Sequence, residues 1–145
     1  MPPRSELQQF VRAVPLFAGL LPSEVDRITL VMRPVEFAAG EVICTEGEPG
    51  HDFYLLDRGE VAIEHGGDTV AKLHTGDHFG ELALLDRGPR SATVRAVGDS
   101  RLYVLPEASF AAVLNEVPAL AQKLLAALAR RLRETEAQLN PRHPV

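Results

Sequence analysis

Phe79 to Arg95 reads FGELALLDRGPRSATVR, a stretch that packs a glycine, a carboxylate, a short apolar turn, a Gly-Pro-Arg step and small hydroxyl residues into one segment. Gly80 lets a backbone approach a ligand closely, and Glu81-Leu82-Ala83-Leu84-Leu85 can form a single helical turn whose free N–H groups suit an anion. Arg90, after the Gly88-Pro89 turn, carries a guanidinium that can fork two hydrogen bonds onto phosphate oxygens, with the Ser91 hydroxyl beside it. Glu81 would repel a phosphate at contact distance, so it fits only as an acceptor from a neutral hydroxyl such as a ribose 2′-OH. Together the two describe a ligand with a free sugar hydroxyl and one compact anionic phosphate.

The surrounding sequence has the rhythm of a β-domain. From Val35 to Leu105, short apolar segments are separated by Gly, Pro or Asp every eight to twelve residues, the pattern of a sandwich or small barrel. Seven strands are expected: Val35 to Phe37, Glu41 to Thr45, Phe53 to Asp57, Glu60 to His65, Thr69 to Leu73, Ser91 to Val97 and Arg101 to Leu105. Val61 and Ile63 alternate with Glu60 and Glu64, and Gly66-Gly67-Asp68 supplies a turn to the next strand.

Helices flank this region. Leu7, Phe10, Val11 and Val14 recur at helical spacing before Pro15. A second helix is expected with Ser23 as its cap, Val25, Ile28, Val31 and Met32 as its apolar stripe and Pro34 as its end. Beyond the strands, Glu107 to Asn115 is a short helix, and Ala119 to Leu139 runs without Gly or Pro. On that long helix Ala121, Leu125, Leu128, Leu132, Thr135 and Leu139 alternate at four and three residues, which draws a coiled-coil-like seam. It suits a homodimer contact, or a stripe packed on the protein's own β-domain.

Composition narrows the class. The chain has 145 residues, 46% apolar and 24% charged, enough for one folded domain. No apolar run reaches the roughly 18 residues of a membrane span, and the first twenty residues lack the apolar core of a signal peptide, so the cytoplasm is the expected compartment. The formal charge is −5, which argues against nucleic acid as the partner of this chain alone. The single cysteine, Cys44, sits in an apolar run and reads as packing.

Phe79-Gly80-Glu81-Leu82-Ala83-Leu84 followed by Pro89-Arg90-Ser91-Ala92-Thr93-Val94 resembles the phosphate-binding cassette of the cyclic nucleotide-binding domain family. The nine-residue step from Glu81 to Arg90 matches the spacing in the family's protein kinase regulatory subunits. Val14-Pro15-Leu16-Phe17, Ala39-Gly40-Glu41, Gly47-Glu48-Pro49-Gly50 and Phe53-Tyr54-Leu55-Leu56 with Gly59 extend the resemblance over nearly the whole chain. It implies an α+β, mainly β fold: an eight-stranded jelly-roll barrel flanked by N-terminal helices and a long C-terminal helix. The single domain then runs over 1–140, with N-terminal helices in 1–33, the barrel in 34–106, the cassette at 79–95, C-terminal helices in 107–140 and a tail at 141–145.

The resemblance also implies roles. Gly80, Leu82 and Ala83 offer backbone to the ligand, Glu81 takes the 2′-OH, Arg90 and Ser91 take the cyclic phosphate, and Phe79 and Ala92 complete the cassette. Arg130-Arg131-Leu132-Arg133-Glu134-Thr135 resembles the last helix of the family's bacterial catabolite activators, which makes Thr135 a base contact. The family binds cyclic AMP or cyclic GMP. Serine after the arginine leans toward cyclic AMP, since the cyclic GMP readers carry threonine there. The expected molecule is a ligand-binding sensor without a cofactor, not an enzyme, and its effector is unknown. It is free-standing, or the regulatory part of a nucleotide-gated channel or transcription regulator. The family's transcription factors continue beyond the long helix into a helix-turn-helix, and this sequence stops before one.

Two other classes compete. His74, Asp77, His78 and Glu81 within HTGDHFGE could form a metal cluster on a cupin-like jelly roll, although Gly76-Asp77 more simply makes a turn. The same fold could also be ligand-blind, binding a protein partner, or bind haem.

Overall fold

A computed structural model describes residues 3–139 of the chain. Asn140 and the expected tail at 141–145 lie outside the described residues. The order of elements is α1 (Arg4–Ala13), a 3-10 turn (Pro15–Phe17), α2 (Pro22–Thr29), β1 (Arg33–Phe37), β2 (Val42–Cys44), β3 (Asp52–Arg58), β4 (Val61–His65), β5 (Asp68–Leu73), β6 (His78–Phe79), α3 (Glu81–Leu85), β7 (Thr93–Ala96), β8 (Ser100–Pro106), α4 (Glu107–Glu116) and α5 (Pro118–Leu139).

The eight strands form two four-stranded antiparallel sheets, in the orders β1-β8-β3-β6 and β2-β7-β4-β5. They face each other as the expected eight-stranded jelly roll flanked by helices, and the barrel they outline is not closed. The eighth strand, β6, is two residues long and pairs with Tyr54 and Leu55 of β3. Two residues carry no readable alternation, so the spacing of apolar segments revealed only the other seven.

Alternation on β3 explains how one strand serves two cores. Phe53 and Leu55 point into a cluster with Val11, Phe17, Ile28 and Phe110 from the helices. Tyr54 and Leu56 point the other way, into a cluster between the sheets with Cys44, Val61, Phe79 and Leu102. A strand buried on both faces reads as an unbroken apolar run, and Phe53-Tyr54-Leu55-Leu56 is one. At the β4–β5 hairpin, Gly66 and Gly67 take φ of 57° and 88°, the double positive φ of a two-residue hairpin turn.

Two helix signals are corrected. The cap of α2 is Leu21, not Ser23: Pro22 occupies the first helical position, and the Glu24 carboxylate accepts the Leu21 N–H at 2.8 Å. Pro34 does not end that helix, which stops at Thr29. It lies in β1, an edge strand paired only with β8, where a missing N–H is tolerated.

Helices α4 and α5 meet at 108° across Val117. On α5, Leu120 and Leu124 are buried against the helical core and Leu128 packs at its edge. Leu125, Leu132 and Leu139 stay exposed, at 65%, 59% and 81%. The expected seam is thus split: Leu128 turns toward the protein's own core, and the other leucines, seven residues apart, face outward. Among the described residues no single helix is long and apolar enough to cross a membrane.

Candidate functional site

A cavity of about 460 Å³ opens against the β2-β7-β4-β5 sheet, a volume in the range of small-molecule sites. Residues 79–83 and 90–92 line it, so eight of the nine expected site residues share one hollow. The ninth, Thr135, does not reach it. Its hydroxyl donates to the Arg131 carbonyl at 2.9 Å within its own helix, and Arg131, one turn earlier, is the α5 residue on the cavity wall.

The cassette is shaped by glycine. Gly80, between β6 and α3, takes φ of 96°, and a Cβ there would lie 2.7 Å from the Asp52 carbonyl oxygen and 2.8 Å from Arg90 Nη1. A Cβ at Gly50 would overlap the Arg90 guanidinium outright, although Gly50 needs no positive φ. The early glycines therefore make room for one arginine.

Arg90 itself is 8% exposed. Its chain position is fixed by the Arg90 N–H donating to the Glu48 carbonyl at 2.8 Å and by its own carbonyl accepting from Gly47 N–H at 2.9 Å. The guanidinium donates from Nη1 to the Gly80 carbonyl at 3.1 Å and from Nη2 to the Asp52 carbonyl at 2.9 Å, and it lies 5.9 Å from the centroid of the Tyr54 ring. Among the described residues no carboxylate lies within 4.0 Å of it. Asp86, four residues before it, accepts the Gly88 N–H at 2.8 Å. A buried cation held only by carbonyl dipoles calls for an anion, because burying an unpaired charge is costly.

Glu81 supplies the opposite charge. It is 1% exposed, and its Oε1 accepts from Arg131 Nη1 at 2.8 Å. Its Oε2 is buried without a hydrogen-bond partner and lies 3.5 Å from His78 Nδ1, which is also unpartnered. Burial alone would push the Glu81 carboxyl up, but His78 and the Arg131 guanidinium outweigh it and hold the group below its ordinary value of 4.5. It is therefore an ionised acceptor with one oxygen to spare.

Ser91 is exposed at the cavity mouth, and Ala92 is buried beneath it. Cys44 packs in the inter-sheet core as expected and also borders the cavity, and burial pushes its thiol up to about 11, so it stays protonated. Sequence reasoning grouped His78 with Glu81 only as a metal ligand, and missed Arg131 as a neighbour of Glu81. Arg131 was one of several arginines on a charged helix, and only the path of α5 singles it out. The HTGDHFGE cluster separates: the His74 N–H is accepted by Asp77 at 2.8 Å in a turn, and the His74 ring faces Glu60 at 3.4 Å. Among the described residues, no three His, Cys, Asp or Glu side chains are placed to hold a metal ion. On the wall facing α4, the Phe53 ring stacks with both His78, at 5.6 Å, and Phe110, at 5.0 Å.

Comparison with known proteins agrees with this geometry. Residues 34–117 match the family model described as the cyclic nucleotide-binding domain. The chain is 39% identical over 120 residues to a cAMP-dependent protein kinase regulatory subunit of Hypocrea atroviridis, covering 83% of this chain and 26% of that protein. It is 38% identical over 135 residues to the cyclic AMP receptor protein of Thermus thermophilus, covering 90% of this chain and 62% of that protein. The crystal structure of the regulatory domain of Toxoplasma gondii PKA with cAMP superposes with a TM-score of 0.77 at 29% identity, covering 88% of this chain and 50% of that one. The chain thus spans between about a quarter and three-fifths of the length of these curated relatives. Its fold, its cassette and the matched family model place the chain in the cyclic nucleotide-binding domain family.

Proposed function

We propose that the chain is a cytoplasmic cyclic nucleotide sensor that prefers cyclic AMP to cyclic GMP, acts as a binding module and not as an enzyme, and regulates an effector on another chain or segment. The observation that carries this reading is a buried Arg90 with no carboxylate near it, in the same cavity as the spare buried oxygen of Glu81. A cyclic phosphate answers the first, and a ribose 2′-OH answers the second. The crystallised cAMP complex of the Toxoplasma gondii relative supports the ligand class. Ser91 in place of threonine supports the choice of adenine.

Ligand binding shifts a population: a nucleotide that contacts α5 as well as the cassette favours the state in which α5 lies closed over the base. Closure of that kind would carry Thr135, one turn past Arg131, toward the base. Exposed Leu125, Leu132 and Leu139 support a homodimer through the same helix. A ligand-blind domain is favoured by one contact, Arg131 on Glu81 Oε1, which leaves Oε2 and Arg90 unanswered.

Calorimetric titration with both nucleotides tests the proposal. Cyclic AMP should bind more tightly than cyclic GMP, and Arg90→Ala should weaken it by about ten- to more than a hundred-fold, the worth of charge-assisted hydrogen bonds of about 1.5–3 kcal/mol. Binding by the variant as tight as by the parent would remove Arg90 from the phosphate site.

A further inference from the structure

The phosphate and sugar partners leave one half-buried side chain at the cavity without a task. His78 lies in β6, three residues before Glu81, and its Nδ1 and Glu81 Oε2 face each other at 3.5 Å, both buried and both without a hydrogen-bond partner. The imidazole stacks on the Phe53 ring of β3, with ring centroids 5.6 Å apart. The charged side chains around it are Glu81 on α3, Arg131 on α5 and Arg90 across the cavity, with Asp77 beside it in sequence.

We propose that His78 is a positioning residue for the sugar-accepting carboxylate, and that its proton makes nucleotide affinity depend on pH. This rests on the cyclic nucleotide reading and adds to it a regulation of the same site. When the imidazole is neutral, Glu81 Oε2 is a buried acceptor in need of a donor, and the 2′-OH supplies one. When it is protonated, Oε2 faces a cation while Arg131 already holds Oε1, so the incoming hydroxyl must share a carboxylate engaged on both sides.

Ligand binding pushes the same way. A nucleotide filling the cavity removes the remaining water from the imidazole, which disfavours its charged form. Binding of the nucleotide and protonation of the ring are therefore opposed, so affinity falls as pH falls.

The test measures the affinity of the intact chain for cyclic AMP and for its 2′-deoxy analogue at about pH 5.5 and about pH 7.5. For the parent, cyclic AMP should bind about fivefold more weakly at the lower pH, which is the span produced by a tenfold difference in proton affinity between free and bound states. His78→Gln should bind with no such dependence, and the 2′-deoxy analogue, which lacks the hydroxyl that competes for Glu81 Oε2, should show a clearly smaller pH dependence than cyclic AMP even with the parent. The analogue needs no variant, so the comparison survives if His78→Gln fails to fold. Cyclic AMP binding that does not change with pH, or an equal pH dependence with the deoxy analogue, overturns the role of His78 and leaves the cyclic nucleotide reading standing. Absence of binding at both pH values overturns that reading, and the role of His78 falls with it.

Discussion

Gly80 shows how a single residue can shape a binding site without touching the ligand through a side chain. At φ of 96° it turns the chain from β6 into α3, and its missing Cβ leaves space for the Asp52 carbonyl and Arg90 Nη1. Gly80→Ala should cost about 1–3 kcal/mol of stability through left-handed backbone strain, read as a lower midpoint in thermal unfolding. It should also weaken cyclic AMP binding, because the added methyl group displaces the guanidinium. Gly80, Glu81 and Arg90 were legible in the sequence because each has a residue type that the chemistry demands at a fixed offset. The use of Gly50 was not, since a small residue in a turn-rich region has many uses and only the folded path brings it against Arg90, and His78 was read beside Glu81 only as a metal ligand.

At the scale of elements, α5 is attached unevenly. Its first half is held by Leu120, Leu124 and Leu128, whereas beyond Leu128 the side-chain hydrogen bond from α5 to another element, among the described contacts, is Arg131 to Glu81. Arg131→Ala should therefore loosen residues 129–139 selectively. Amide exchange there should rise by up to about fivefold, the equivalent of about 1 kcal/mol for a pair whose arginine is largely exposed, with the β-sheets unaffected. Uniform exchange rates in parent and variant would show that another contact holds the helix. The helix itself was legible from its length without Gly or Pro. Its two faces were not, because a four-three leucine repeat is equally suited to the protein's own core and to a partner, and the 108° turn after α4 decides which leucines go inward.

The molecule as a whole is three layers of helices and sheet sharing β3 as a partition. The strand rhythm and the flanking helices were readable from sequence, while the split into two sheets was not, since pairing partners far apart in the chain leave no local signature. The exposed leucines belong to this scale. Leu132→Glu, at a position 59% exposed, should leave stability within about 0.5 kcal/mol of the parent while converting a dimer to a monomer in light scattering. A parent that is already monomeric with and without cyclic AMP would remove the α5 dimer.

Phe53 stands on the helix-facing side of β3, its ring stacked on His78 of β6 and on Phe110 of α4. Close-packed rings have little slack, so a tilt of one must be absorbed by its neighbours. This aromatic row joins His78, the neighbour of Glu81 at the cavity, to α4, the helix that precedes α5, through the protein's interior.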